Sequence, residues 1–140
     1  MTEPLFREID HTADLGIEVE ADTPGELFQC AGTALLSLMV QLQGVKAREV
    51  REEIVQAEGW EQLFHDWLSH VLHQFLRDGF IAATIAILEI DDHHVHARLT
   101  GEKLDYDRHE FEIEIKAVTY HQLSVTCEQG RWRARVIFDV

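Results

Sequence analysis

Early in the chain, Leu15, Ile17, Val19 and Ala21 alternate with Gly16, Glu18 and Glu20. Successive side chains of a strand point to opposite faces, so this alternation predicts a strand with one wet face. Thr23-Pro24-Gly25-Glu26 follows. A hydroxyl able to accept the first free amide, a proline at the first helical position and a carboxylate three residues after the cap predict a helix start closed by a capping box. Leu27, Ala31, Ala34, Leu35, Leu38 and Met39 fall on one side of that helix, which is expected to end near Val40. A less regular strand pattern covers 49–57. From Trp60 to Asp78, the apolar residues Trp60, Leu63, Phe64, Trp67, Leu68, Val71, Leu72, Phe75 and Leu76 recur at spacings of three and four, with Gly79 placed as the C-cap. This spacing predicts one long helix with a single buried face, and its aromatic stripe reads as core packing.

Strand patterns then run over about 80–90, 94–100, 111–120, 123–128 and 132–138. Asp91-Asp92-His93 and Gln129-Gly130 supply turns, the latter in the manner of a hairpin. Helices early and hairpin-linked strands late predict an α+β fold: a single domain over residues 1–140, with a largely antiparallel or mixed sheet and two main helices packed on one face.

Composition supports a continuous core, since 46% of the 140 residues are hydrophobic and only two are proline. Met1-Thr2-Glu3-Pro4 lacks the basic and apolar regions of a secretory signal, and no run of about 18 apolar residues occurs. A soluble, cytoplasmic protein with no membrane association is expected. Cys30 and Cys127 lie in apolar patterns without a C-x-x-C arrangement and read as buried, reduced thiols. The formal charge of -14, from 26 acidic and 12 basic residues, changes the picture most. Nucleic-acid binding rests on neutralising phosphates with Lys and Arg, so direct contact with RNA or DNA is not expected. An acidic surface instead suits divalent cations and basic patches on proteins.

Candidate chemistry is sparse. His94 and His96 would share one face of a strand, but no third ligand has a convincing spacing, and His93, His94 and His96 read as solvated histidines beside a turn. There is no G-x-S-x-G, no phosphate-cradling glycine loop, no H-E-x-x-H and no zinc-type cysteine spacing. A hydrolase therefore has little support. Three polar interruptions remain: Asp10-His11-Thr12-Ala13-Asp14, Lys116-Ala117-Val118-Thr119-Tyr120-His121, and Phe138-Asp139-Val140. In the last, a carboxylate beside an α-carboxylate offers hard oxygen ligands of the kind calcium and magnesium favour. A turn aspartate and a frayed end explain the same residues.

Taken in order, D-H-T-A-D-L-G-I, G-E-K-L-D at 101–105, E-I-K-A-V-T-Y-H at 114–121 and the final F-D-V closely resemble the archease family, from about Phe6 to Val140. The resemblance implies an accessory protein and not a stand-alone enzyme. Archeases assist the RtcB-type RNA ligase, which joins 2′,3′-cyclic phosphate or 3′-phosphate ends to a 5′-hydroxyl with GTP and manganese. They promote guanylylation of the ligase and its multiple turnover. The family is also linked to tRNA-modifying enzymes such as tRNA methyltransferase and to chaperone-like behaviour. A metal-dependent hydrolase is the remaining alternative. The resemblance implies calcium, or another hard divalent cation, held by Asp14, Asp139 and Val140. It further implies a part in activation or partner contact for Lys103, with Lys116 and His121 on the adjacent strand. For Lys103 a surface lysine paired with neighbouring acids is the alternative. His11 is expected to order the site by hydrogen bonding, because nitrogen is a poor calcium ligand, and Asp10 to cap the turn.

Overall fold

A computed structural model describes residues 3–11 and 14–140 of the chain; for Ile9, Asp10, His11 and Asp14 it describes the backbone alone. The elements in chain order are β1 Leu5–His11, β2 Asp14–Ala21, α1 Pro24–Met39, β3 Glu49–Gln56, α2 Trp60–Asp78, β4 Phe80–Ile90, β5 His94–Lys103, β6 Ala117–Val118, β7 Ser124–Glu128 and β8 Arg131–Asp139.

The expected α+β fold with two helices is present, and its strands divide between two antiparallel sheets. One runs β1-β2-β8-β6, with β7 also paired to β8; the other runs β3-β5-β4. Both helices touch both sheets as well as each other. The core gathers Ile17 and Val19 of β2, Val136 and Phe138 of β8, Ile85 of β4, and Val95, Ala97 and Leu99 of β5 around Phe28, Leu35, Phe64 and Trp67 of the helices. In β2 and over Val95 to Leu99 of β5 the burial alternates along the strand, so one face meets the helices, whereas β4 opens with three buried residues and β8 buries Val136, Ile137 and Phe138 in succession. Trp67 is fully buried, and its indole N–H donates to the Phe28 carbonyl at 2.9 Å, so its polar atom is not stranded in the core.

The helix ends follow local chemistry. The Thr23 hydroxyl accepts the Glu26 amide at 3.1 Å, a cap worth about 1 kcal/mol. Gly79 closes α2 in the left-handed region, at φ 69°, where other residues are strained. No helix among the described residues is long and apolar enough to cross a membrane.

Three expectations are corrected. The strand expected over 111–120 is a ladder only at Ala117–Val118. The Gln41 amide bonds the Glu110 carbonyl and the Glu112 amide bonds that of Met39, so residues 110–112 pair with the end of α1, where no strand continues. Alternation there reports half-burial of a crossing segment, not a sheet. The strand β1 has no counterpart in the expected elements. Cys127 is exposed on β7, which among the described residues pairs with β8 alone, while Cys30 is half-buried and burial pushes its thiol up.

Candidate metal and partner site

The N-terminal and C-terminal strands lie side by side, and their register assembles three of the polar motifs. His11 pairs with Asp14 across β1 and β2, Asp14 with Asp139 across β2 and β8, and Asp139 with Ala117 across β8 and β6. The row therefore runs His11, Asp14, Asp139, Ala117 over four neighbouring strands. The Lys116 amide donates to the Asp139 carbonyl at 2.7 Å, which places Lys116 at the same edge. Phe138 before it is fully buried against the helices, while Asp139, the last residue of β8, is exposed. Gly16 lets β2 and β8 close up, since a Cβ there would meet the Val136 carbonyl oxygen and the Ile137 side chain, both at 2.7 Å.

Among the described residues, neither the Asp139 carboxylate nor the Lys116 ammonium has an ion-pair or hydrogen-bond partner. The expected roles of the Asp10, His11 and Asp14 side chains lie outside the described residues, as do Thr12 and Ala13; the backbone pairs Asp10 with Leu15. Val140 follows Asp139 and is exposed. The ligand atoms that Asp139 and Val140 offer are oxygens at an open edge, a set that fits a hard divalent cation with water completing its shell.

The strand beside this row is pinned from beneath. His65 of α2 bonds the Val118 carbonyl through Nε2 at 3.1 Å and Asp66 through Nδ1 at 2.9 Å, and its ring stacks on Tyr120 at 3.8 Å. Gln62 donates to both Asp66 and the Tyr120 hydroxyl. The Thr119 hydroxyl donates to the Ile137 carbonyl at 2.9 Å. His121 lies past this strand in the turn before β7, its amide on the Thr119 hydroxyl, and the ladder does not bring it to Asp139.

Lys103 ends β5 and belongs to the other sheet, paired with Phe80. It borders an open depression of about 730 Å3 with Arg48, Glu49, Tyr106 and Arg108. Beneath it lies a cluster that sequence reasoning missed. Glu102 is 5% exposed and accepts from Arg108 at 2.6 Å, the Lys46 amide at 2.7 Å and His109 at 2.9 Å. The Asp105 amide donates to His109 Nδ1, which leaves the N–H on Nε2, pointing at Glu102. The Arg108 hydrogen bond and then the Lys46 amide hold the Glu102 carboxyl down at about 2. The sequence carried no signal for it, since Glu102 falls on the polar side of the β5 alternation, with Gly101 on the apolar side. At Gly101 the strands approach so closely that a Cβ would sit 1.8 Å from the Ile81 carbonyl oxygen.

His93, His94 and His96 are near the surface as expected, and carboxylates engage them. His94 bonds Glu89 at 2.8 Å and Asp91 at 3.0 Å, and His93 bonds Asp92 at 2.7 Å. Asp91 also accepts the His93 and His94 amides, which is how an aspartate closes a turn.

A sequence model of the Archease protein family (MTH1598/TM1083) matches residues 6–140. The chain belongs to the archease family. Relatives named "Protein archease" include one from Methanopyrus kandleri, 38% identical over 140 residues that span 96% of this chain and 99% of its own length. Another, from Methanosarcina mazei, is 32% identical over 96% of this chain and 95% of its own. Among solved structures, the solution structure of Methanobacterium thermoautotrophicum protein 1598 superposes with a TM-score of 0.79 at 32% identity, covering 96% of this chain and 98% of that one. The crystal structure of an archease from Thermotoga maritima, described as a "possible chaperone", gives 0.63 at 26% identity and 96% coverage of each. The archease motifs thus occupy two places in the fold: His11 and Asp14 of the first motif meet K-A-V-T-Y-H and F-D-V along one row of paired strands, while G-E-K-L-D lies at the end of β5 in the other sheet.

Proposed function

We propose that this archease is a cytoplasmic, metal-binding accessory protein that activates an RtcB-type RNA ligase, promoting its guanylylation and multiple turnover in tRNA splicing or RNA repair. The observation that supports this reading best is the register row: strands from opposite ends of the chain put Asp14 opposite Asp139, with Lys116 and Val140 beside them. Asp14, Asp139 and a main-chain oxygen of Val140 would hold calcium or another hard divalent cation. Bound there, the cation would supply a positive centre able to organise phosphate oxygens. Lys116, whose ammonium has no partner among the described residues, lies at the same edge and acts on the ligase's nucleotide, and Lys103 contacts the partner from the second sheet. His65 and Thr119 keep β6 in place while this happens. The surface charge of -14 favours encounter with a basic active-site cleft, so the protein need not touch RNA.

The test is RNA ligation with limiting cognate ligase and GTP, with and without this protein. Multiple turnovers are expected only in its presence, and absence of stimulation across calcium, magnesium and manganese would overturn the reading. A chaperone-like role towards a tRNA methyltransferase is a second reading, supported by the description of the Thermotoga relative. Protection of the methyltransferase without any effect on ligation would favour it.

A further inference from the structure

Residues 104–116 carry the chain from the end of β5 to β6, and they open an aromatic cleft against the C-terminus of α2. The cleft, about 460 Å3, is lined by Phe75, Leu76, Gly79, Leu104, Tyr106, Phe111 and Glu114. Phe111 stacks on Phe75 at 6.2 Å and takes Tyr106 edge-on at 6.4 Å. Phe75 is almost wholly buried, yet Tyr106 is 75% exposed and Leu76 41%. A floor of buried ring and walls of exposed apolar side chains form a concave surface that water covers at a cost.

Its border is acidic. Segment 105–114 holds Asp105, Asp107, Glu110, Glu112 and Glu114 against one arginine, Arg108, which is bound to Glu102. The nearby cations include Arg48, paired with Glu102, Arg77, paired with Asp78, and the exposed Lys103 and Lys116. Glu114, the one carboxylate lining the cleft, has no ion-pair partner among the described residues. Nor, among the described residues, does any group accept from the amides of Ile113, Glu114 and Ile115, whereas those of Glu112 and Lys116 are bonded to Met39 and Asp139. The cleft therefore offers an apolar socket bordered by a carboxylate, Glu114, that has no ion-pair partner among the described residues.

We infer that this cleft docks a segment of the activated protein that carries an aromatic or long aliphatic anchor flanked by lysine or arginine. The anchor fills the space between Leu76, Tyr106 and Phe111, and a flanking cation meets Glu114. Such anchors in a closed apolar socket carry most of an interface's affinity. Because the same chain segment continues from Glu114 to Lys116, docking here holds the Asp139 edge against the partner. The inference rests on the ligase reading for the identity of that partner.

The test uses the whole protein and the purified cognate ligase, with binding followed by calorimetry and ligation followed in parallel. Tyr106→Ala and Glu114→Lys are each expected to raise the half-saturating concentration at least tenfold while leaving stimulation at saturation unchanged. Raising salt should weaken the parent protein more than Glu114→Lys, since the flanking ion pair is screened. Glu114→Lys alters an exposed side chain with no ion-pair partner among the described residues, so it keeps the test valid if Tyr106→Ala folds poorly. Stimulation with unaltered half-saturation in both variants would overturn the cleft and spare the ligase reading. Binding that both variants weaken, without stimulation by the parent protein, would support the cleft and overturn the ligase reading.

Discussion

Glu102 stands one residue from the end of one sheet's central strand and Asp139 ends a strand of the other, and the protein treats the two carboxylates in opposite ways. Glu102 is buried and takes hydrogen bonds from Arg108, His109 and the Lys46 amide, with Arg48 at 3.3 Å. Asp139 is exposed and, among the described residues, its side chain meets no partner of either kind. A buried charge must be satisfied from within, and once satisfied it has nothing left to offer a ligand. An exposed carboxylate at a strand end keeps its lone pairs for a cation. The comparison separates charges that organise the fold from charges left for use, although both stand in family motifs.

The comparison can be broken at four points, in order of expected effect. Gly101→Ala places a methyl group against the Ile81 carbonyl and should cost about 3 kcal/mol of stability in urea unfolding, by forcing β4 and β5 apart. A near-neutral result would show that the Glu102 end of the sheet is not rigidly packed. Asp139→Asn should lower calcium affinity and ligase stimulation at least tenfold, with metal-free stability changed by no more than about 0.5 kcal/mol. If stability fell and calcium titration were unaltered, Asp139 would belong with Glu102 as a structural charge.

Glu102→Gln should lower stability at neutral pH and leave calcium affinity at the other edge unchanged. Because folding lowers the Glu102 pKa to about 2, its contribution is present above its ordinary value of 4.5 and is lost as pH falls towards 2. Denaturation curves at stepped pH should therefore show the parent and the variant converging through that window; a constant gap would assign the loss to packing alone. The smallest effect belongs to His94→Gln at the β4–β5 turn. There Glu89, and with it Asp91, raises the imidazole pKa, so the stabilisation is full below the ordinary value of 6.5 and disappears as pH rises through the raised one. Parent and variant should differ only at acidic pH in the same measurement.

Much of the fold was legible because it is written in short-range periodicity. Trp60 to Phe75 repeats at helical spacing, Thr23 and Gly79 carry the caps, and β2, β5 and β8 alternate, so these elements appear where the pattern places them. The segment 111–116 alternates too, but among the described residues only its ends are bonded, the Glu112 amide to Met39 and the Lys116 amide to Asp139, and no strand pairs with the stretch between them. Glu102 looked like one more surface acid because burial depends on the approach of Lys46, Arg108 and His109, which come from separate loops.

By itself the sequence determined the helices, their caps, the strand-rich second half and the motifs that mark an archease, because each is a property of neighbouring residues. Only the tertiary structure decided that Asp14 lies opposite Asp139, that Lys103 falls on a different sheet from Lys116, and that Tyr106 and Phe111 frame a cleft with the end of α2. Those relations depend on which strands pair and in what register. That is settled by burying both helices against two sheets at once, and no local pattern records it.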